Sequence, residues 1–362
     1  MRSTLDELIT ELDELKALVA SIEPVNSALA GHNDTVVQKY VSIRRRFDYA
    51  AFAVALYASF EKFIEGLVAA FAQLESRRLQ YSALPQKLVK KHLSRTAEML
   101  SRGRIGEGRY ASLNEFDVVK NLFECLNGTR PYTLNEAAVV AHDVNLRVGE
   151  VDALFAAVGV DTMCERVRRA DVLVEWYRDV NGLPATQHEV PAVTIEERLK
   201  DIVERRNQVA HRGGNPVNLP GVAAMSEAVD FLESFSRSIF GLMVGHYLKT
   251  HHAASENHIE LAIRTGERDG PFRNGTVVVV DKPSDRLFVG QPVFVVVETT
   301  GARWGRIQSL QVDDTDVDEV VPSANAPNGI GVGLDFKYPQ NIGTRLIVLA
   351  ADDELVWSPA ES

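Results

Sequence analysis

Glu204-Arg205-Arg206-Asn207-Gln208-Val209-Ala210-His211-Arg212-Gly213-Gly214 lies near the end of a predicted amphipathic helix, and the rest of the chain is interpreted from it. Asn207 and His211 are four residues apart, so they share one helix face. Arg206 precedes His211 by five residues, and its long side chain can return to that face where the last turn loosens. The two glycines suit the left-handed conformation that ends many helices.

These side chains predict acid–base chemistry on a phosphodiester. The helix dipole favours a cation near the carboxyl end, so we expect His211 to hold a proton more readily than a free imidazole. An imidazole that titrates near neutrality beside the fixed charge of Arg206 can move protons and stabilise a developing anion. Solvated caps of the same composition are also common at helix ends, so residue chemistry alone leaves a structural role open.

Two further stretches share with this helix a resemblance to a known superfamily. Arg206-Asn207-x-x-x-His211 resembles the R-x4-6-H signature of the HEPN superfamily (higher eukaryotes and prokaryotes nucleotide-binding). Ala55-Leu56-Tyr57-Ala58-Ser59-Phe60-Glu61-Lys62-Phe63-Ile64 is similar to the aromatic-acidic helix of the bacterial HEPN branch that includes the RiboL-PSP-associated proteins. Asn145-Leu146-Arg147, leading into Val151-Asp152-Ala153-Leu154-Phe155, resembles the middle segment of that branch. The resemblance covers roughly residues 40 to 250.

The resemblance implies a metal-independent endoribonuclease without a cofactor. The ribose 2′-hydroxyl would attack, leaving a cyclic phosphate and a free 5′-hydroxyl. His211 would act as general base or acid, Arg206 would stabilise charge on the phosphoryl oxygens, and Asn207 would hold the phosphate or His211. Acid and base roles need two groups, which agrees with the family's pairing of two motifs across a two-fold axis, and a homodimer is therefore expected. The alternative is a non-catalytic RNA- or protein-binding HEPN module.

The resemblance also implies a biological setting. RNA cleavage would serve toxin–antitoxin or anti-phage defence, with an antitoxin or a trigger protein as a possible partner. Glu61, in the aromatic-acidic helix, either faces solvent or orients the arginine and histidine, and both interpretations stay open.

Length, charge and cysteines limit the possibilities. At 362 residues and 40.0 kDa the chain should contain two domains. A net charge of −11 is not typical of a nucleic-acid-binding protein, although the positive residues are clustered. Cys125 and Cys164 lack metal-ligand spacing and indicate buried thiols in a reducing compartment. The amino terminus lacks an apolar signal core and no apolar run is long enough to cross a bilayer, so we expect a cytoplasmic protein without membrane contact.

A basic tract extends from residue 77 to residue 109. Lys87, Lys91 and Arg95 are four residues apart and form one edge of the helix that begins near Pro85. Phosphate contact and a solvated face are comparable explanations, and phosphate contact would be salt-sensitive. The glycines of the loop at residues 101–110 do not form a dinucleotide fingerprint. The predicted RNA-binding residues are Lys87, Lys90, Lys91, Arg95, Arg102 and Arg104.

The remaining helices follow from apolar spacing. Leu5, Leu8, Leu12, Leu15, Val19 and Ile22 recur at intervals of three and four and predict a helix over residues 2–22, ended by Glu23-Pro24. That helix either docks onto the bundle or pairs with a second copy. Further helices are predicted at about 35–46, 48–79, 114–126, 145–157, 162–180, 194–211 and 222–250.

Beyond residue 265 the pattern changes to short β-type runs between turn residues. They occupy residues 275–280, 287–289, 293–297, 306–312, 329–334 and 345–349 and predict a small antiparallel barrel. Their order resembles the second-domain barrel of translation-factor GTPases, which makes tRNA or another translation-related RNA the expected substrate. The predicted fold is thus α+β with two domains, an all-α HEPN-type helical bundle at 1–260 and a β-barrel at 268–362. His246, His251, His252, His258 and the loop Asp313-Asp314-Thr315-Asp316 have unsuitable spacing for a metal site.

Overall fold

The computed structural model describes residues 1–103, 105–211, 219–253, 258–264, 271–297, 301–322, 329–339 and 345–357. The chain divides into two compact units, of which the first runs from Ser3 to Ile239 and includes Met1. The second runs from Phe240 to Ser362 and includes Arg2. It therefore begins inside the last long helix, ahead of the 260–268 boundary expected from the sequence. Helices come first and antiparallel strands follow, so the predicted α+β class is confirmed.

Ten α-helices are present in the described residues. They are α1 Arg2–Ala30, α2 Thr35–Arg78, α3 Gln86–Ser101, α4 Glu115–Asn127, α5 Glu136–Val139, α6 Val148–Ala157, α7 Met163–Val167, α8 Asp171–Asn181, α9 Ala192–His211 and α10 Val222–Tyr247. None of the described helices is long and apolar enough to span a lipid bilayer.

Helix α1 is longer than the sequence indicated. All six residues of its apolar seam are buried, so the helix docks within its own chain. The prediction that Glu23-Pro24 ends it is wrong, because α1 continues to Ala30 with the proline inside. A proline removes one backbone hydrogen bond, but Ile22, two residues before it, is buried, so the apolar face of α1 still stabilises the helix at this point.

Helix α2 is one element of 44 residues where two were predicted. It begins at the cap Asp34, whose side chain accepts a hydrogen bond from the Val36 amide at 2.7 Å. At the expected break, Arg44 Nε lies 3.0 Å from Asp48 Oδ2, one turn along the helix, and this ion pair spans the junction. The central part of α2 forms much of the core through Phe52, Leu56, Phe60, Phe63, Leu67 and Phe71.

The single helix predicted at 162–180 is also wrong, since the chain forms α7 and α8 with a break between them. Tertiary bonds at the break explain the difference. The backbone N–H of Val190 donates to the carbonyl of Arg168 at 2.9 Å, and Arg168 Nε donates to the carbonyl of Val190 at 2.9 Å. These contacts come from a distant segment, so local helical periodicity does not reveal them.

A buried histidine fixes α3 against the chain that follows α4. His92 is fully buried, and its Nε2 accepts a hydrogen bond from the backbone N–H of Asn135 at 2.9 Å. Nδ1 lies 2.9 Å from the Tyr81 hydroxyl and carries the ring proton, because Nε2 is the acceptor. Burial lowers the pKa of His92 to about 4.

The second unit contains a curled antiparallel half-barrel. Its strands are β1 Ile259–Ala262, β2 Val277–Val280, β3 Leu287–Phe288, β4 Pro292–Val297, β5 Gly301–Val312, β6 Thr315–Val317, β7 Glu319–Val320, β8 Ile330–Leu334 and β9 Arg345–Val348. The main strand order is β1-β9-β4-β5-β8-β2, with β6 on β5 and a separate β3–β7 pair. The long strand β5 pairs with β4 as far as Arg306 and with β8 from Ile307 onward, and the β8 pairing has a register shift between Ile307 and Ser309.

Two local features shape this sheet. Asp313 and Asp314 have positive φ angles of 48° and 62° and form the two-residue turn between β5 and β6, the conformation preferred in tight hairpins. The acidic loop is thus a hairpin turn. The edge strands β1 and β2 meet at one corner, where the Asp281 amide donates to the Ala262 carbonyl at 2.9 Å.

Candidate active site

Helix α9 places Arg206 and Asn207 beside α2 and the segment at residues 145–147. The Asn207 carboxamide oxygen accepts hydrogen bonds from Asn145 Nδ2 at 3.0 Å and from Arg206 Nη1 at 3.3 Å. The guanidinium carbon of Arg206 lies 5.6 Å from the centre of the Tyr57 ring, within the range of a cation–π contact. Both α9 side chains are partly buried, so they are held in place and still accessible.

Tyr57 connects this pair to the interior of the first unit. Its hydroxyl donates to Glu61 Oε1 at 2.9 Å and accepts the backbone N–H of Leu146 at 3.1 Å. Burial is the main cause that raises the pKa of Tyr57 well above its usual range, so the hydroxyl keeps its proton. The ring thus supports Arg206 while the hydroxyl fixes the 145–147 segment to α2.

All three residues of the segment Asn145-Leu146-Arg147 contact this region. Asn145 bonds to Asn207 and Leu146 bonds to Tyr57, as described above. Arg147 forms an ion pair with Glu204, two residues before Arg206 on α9. The segment quoted for its family resemblance is therefore the connection between α2 and α9.

His211 is the last residue of α9. Its side chain and residues 212–218 lie outside the described residues, as does Arg104. The role assigned to His211, the glycine cap after it and the phosphate contact assigned to Arg104 therefore stay predictions.

Glu61 faces a polar cluster and does not contact Arg206 directly within the described contacts. Its Oε1 lies 3.6 Å from His142 Nε2, and Glu65 Oε1 lies 2.9 Å from the same nitrogen. The His142 side chain is only 5% exposed, and its Nδ1 lies 2.8 Å from the Val144 carbonyl oxygen. The hydrogen bond to Glu65 is the main cause that raises the pKa of His142. Tyr57 links Glu61 to Arg206, because its hydroxyl bonds to Glu61 and its ring lies against the Arg206 guanidinium.

The basic tract is more neutralised than its sequence indicates. Lys87 Nζ lies 2.8 Å from Asp161, Arg95 contacts Glu98 and Asp143 at 2.8 and 2.5 Å, and Arg102 contacts Glu98 at 2.8 Å. The acids come mostly from outside the tract. Exposed pairs of this kind are each worth about 0–1 kcal/mol, so a phosphate group can compete with them.

The two remaining lysines of the tract differ from each other. Lys90 is exposed on α3. Lys91 is partly buried, and burial lowers its pKa to about 8. A cleft of about 510 Å³ adjoins the tract and is lined by residues that include Arg95, Arg102 and His142. The cleft has mixed charge, because Glu98 and Asp143 also line it.

The carboxy-terminal histidines have structural roles in the second unit. His252 Nε2 lies 2.8 Å from Asp353 Oδ2, and the Tyr247 hydroxyl donates to the same oxygen at 2.6 Å. His258 Nε2 lies 3.4 Å from a Glu260 carboxylate oxygen. Among the described residues, three potential metal ligands come together only at Glu61, Glu65 and His142, whose ligand atoms lie within 4.8 Å of one another.

Sequence reasoning missed four contributors to this region. Tyr57 and Asn145 were inside the quoted stretches, but no role was assigned to them. Glu65 follows Glu61 by four residues, and this spacing alone places both carboxylates on one helix face. His142 is brought in by tertiary structure, and no local signal in the sequence marks it.

Comparison with known proteins supplies one finding. The model of the RiboL-PSP-HEPN family matches residues 6–244, which includes both Tyr57 and the α9 motif. No curated protein is significantly similar to the chain in sequence.

Proposed function

The chain belongs to the RiboL-PSP-HEPN family, and we propose that it is a metal-independent endoribonuclease that cleaves RNA by attack of the ribose 2′-hydroxyl. One observation carries the proposal. Arg206 and Asn207 are bonded to each other and held from two sides, by the Tyr57 ring and by the Asn145 amide. A guanidinium and a carboxamide fixed side by side at a helix end are suited to an anionic phosphodiester.

Each residue has a specific task in this scheme. His211 transfers a proton at the 2′ or the 5′ oxygen, a role usually worth about 10²–10⁴ in rate. Arg206 uses one of its five N–H donors on Asn207 and offers others to the phosphoryl oxygens. The described hydrogen bonds of the Asn207 side chain are both accepted by its Oδ1 atom. Its NH₂ group therefore supplies donors for the phosphate or for His211.

The same proposal includes a homodimer, because acid and base roles need two groups and one chain supplies one motif. Helix α2 carries a matching surface, which we name the α2 seam. Its members recur at intervals of 4-3-4-3-4, the apolar repeat of a helix that pairs with another helix. Five of them are exposed, from 38% to 74%. The α2 seam consists of Val36, Tyr40, Ile43, Phe47, Ala50 and Val54.

The position of the α2 seam connects dimerisation with the site. Val54 is its last member and precedes Tyr57, which supports Arg206, by one helical turn. Parallel pairing of two α2 seams, with the two-fold axis running along the helices, would therefore bring the two motifs towards one RNA strand. A second copy is the occupant that this geometry favours.

RNA would extend from the motif onto the basic tract, where Lys90 is exposed and the ion pairs of Lys87, Arg95 and Arg102 are weak. Binding should weaken steeply with added salt. The biological role proposed with this chemistry is toxin–antitoxin or anti-phage defence, in which an antitoxin or a trigger protein controls cleavage. The resemblance of the half-barrel to a translation-factor domain favours tRNA or another translation-related RNA as the substrate.

Cleavage of labelled tRNA and total RNA in EDTA tests the activity. Wild-type protein should cleave, and Arg206→Ala and His211→Ala should each lose about 10²-fold or more of the rate while staying folded. Arg198→Ala is the matched control, since Arg198 lies on the same helix and pairs with Glu227 away from the motif. RNA binding without cleavage in all four proteins would indicate the non-catalytic module, and cleavage abolished by EDTA would indicate a metal nuclease.

The dimer is tested separately by analytical ultracentrifugation. Tyr40→Glu and Phe47→Glu each place a charge on the α2 seam and should give monomers that no longer cleave RNA. Phe116→Glu is the control, because Phe116 is 76% exposed on α4 and is not part of the seam. Wild-type protein that is monomeric, or seam variants that remain dimeric, would contradict the proposed interface.

A further inference from the structure

Three side chains of the first unit converge where α2 meets the loop between α5 and α6. Glu61 and Glu65 are one turn apart on α2, and His142 lies between their carboxylates. His142 Nε2 is 2.9 Å from Glu65 Oε1 and 3.6 Å from Glu61 Oε1. The imidazole is 5% exposed, so few waters can solvate it.

The protonation of this imidazole follows from its other nitrogen. Nδ1 lies 2.8 Å from the Val144 carbonyl oxygen, which can only accept, so Nδ1 carries a hydrogen. Nε2 therefore presents either a second proton or a lone pair to the two carboxylates. A proton on Nε2 lies along one N–O direction and serves one carboxylate well, whereas a cation between the three groups would be bound by all of them.

The distances admit the second arrangement as well as a hydrogen bond from Nε2 to Glu65. Metal–ligand bonds of 2.0–2.1 Å at tetrahedral angles separate neighbouring donor atoms by about 3.3 Å. The two measured separations, 2.9 and 3.6 Å, lie on either side of this value. All three ligand atoms lie within 4.8 Å of one another. To reach that value, the two separations at Nε2 would change by about 0.3–0.4 Å.

The surrounding contacts are also those of a metal site. A ligating histidine almost always donates its other N–H to a carbonyl or a carboxylate, as His142 does to Val144. Ligating carboxylates are in turn hydrogen-bonded, as Glu61 is by the Tyr57 hydroxyl at 2.9 Å. His142 lines the 510 Å³ cleft, which provides a path for an ion from solvent.

We propose that Glu61, Glu65 and His142 bind a divalent transition-metal ion of the Zn²⁺ or Mn²⁺ class, with water completing the coordination. An imidazole donor disfavours Mg²⁺ and Ca²⁺, which prefer all-oxygen sites. The ion would fix His142, and with it the chain leading to Asn145, against α2. It would act on the fold beside Arg206 and not on the RNA, and its binding is measured without RNA, so it is tested separately from the proposed ribonuclease activity.

Metal binding is measured on the full chain without RNA. Protein treated with chelator is titrated with ZnCl₂, MnCl₂ and MgCl₂ by isothermal calorimetry, and bound metal is counted after dialysis. One equivalent of Zn²⁺ or Mn²⁺ should bind, and Co²⁺ should give the visible absorption of a low-symmetry site. His142→Gln and Glu65→Gln should each lose binding, while His252→Gln, which removes an imidazole in the second unit, should retain it.

A variant outside the ligand set tests the site without removing a ligand. Tyr57→Phe keeps all three ligands and removes the hydroxyl that orients Glu61, so it should bind the metal about 10–100-fold more weakly. Far-UV circular dichroism establishes that each variant is folded. Absence of binding to folded wild-type protein would overturn the proposal and leave His142 as an imidazolium paired with the carboxylates. Binding that persists in His142→Gln and Glu65→Gln would place the metal elsewhere and would overturn it too.

Discussion

Replacing Tyr57 by phenylalanine removes one oxygen atom and keeps the ring beside Arg206. The hydroxyl has two partners, the Glu61 carboxylate at 2.9 Å and the Leu146 N–H at 3.1 Å. Leu146 is fully buried, so its amide would lose its acceptor where water cannot readily replace it. The variant therefore tests whether this hydroxyl holds the 145–147 segment onto α2.

The expected loss of stability follows from these two contacts. An unsatisfied buried N–H costs about 1–3 kcal/mol. Loss of the hydrogen bond to Glu61 costs less stability than loss of a fully buried bond to a charged group. The Glu61 carboxylate is 35% exposed, so water can replace the hydroxyl as its hydrogen-bond donor. Together they predict a decrease of about 2–4 kcal/mol in the free energy of unfolding of the first unit.

Urea unfolding followed by far-UV circular dichroism measures this decrease, since most helices belong to the first unit. Tyr132→Phe is the matched control. Tyr132 is similarly buried, but its hydroxyl makes one described bond, to the Leu79 carbonyl at 2.8 Å, and its loss should cost about 1 kcal/mol. Equal losses in the two variants would refute the reasoning, because they would show that the Leu146 amide does not depend on Tyr57.

Three further predictions concern the fold. Lowering the pH from 6.5 to 4 should remove up to about 3 kcal/mol of stability from the first unit through His92, because the unfolded chain protonates this histidine and the native chain, with its pKa lowered to about 4, does not. The contribution of His92 should be constant above that window, and urea unfolding of His92→Gln should lack it. Gly305→Ala should lower the free energy of unfolding of the second unit by about 1–3 kcal/mol in urea, because the new Cβ would lie 1.7 Å from Asp335 Oδ1. Gly241→Ala should raise it by about 0.5–1 kcal/mol, because Gly241 lies within α10 and a Cβ there would meet open space. Leu12→Ala should lower the urea stability of the first unit by about 2–5 kcal/mol, since this side chain is fully buried.

The sequence was sufficient for the fold class because the strongest periodic signals are local. The spacing of Leu5 to Ile22 predicted both a helix and its buried face, and the runs of aliphatic residues predicted β2, β4 and β9. The helix breaks were placed wrongly where side-chain contacts outweighed local helical periodicity. Arg44 and Asp48 bridged an expected break in α2, and the bonds between Arg168 and Val190 created a break that periodicity had not indicated.

Only part of the candidate site could be predicted from the sequence. Arg206 and Asn207 were identified by motif spacing, and the structure shows them bonded to each other. Asn145 and Tyr57 are 88 residues apart in the sequence and meet beside α9 only through tertiary folding. The positive tract illustrates the opposite error, because local composition cannot reveal that Asp161 and Asp143 fold back onto Lys87 and Arg95.

The α2 seam and the polar network occupy one stripe of a single helix. At about 100° of rotation per residue, the six positions of the α2 seam fall within an arc of about 100° together with Tyr57, Glu61 and Glu65. The amino-terminal half of this stripe is apolar and exposed, while the other half is polar and contacts His142, Leu146 and Arg206. A partner helix that covers the exposed half would therefore reach the turn before Tyr57, whose ring supports Arg206. Loss of the dimer and loss of RNA cleavage should consequently occur together in every variant of the seam, and neither should occur in Phe116→Glu.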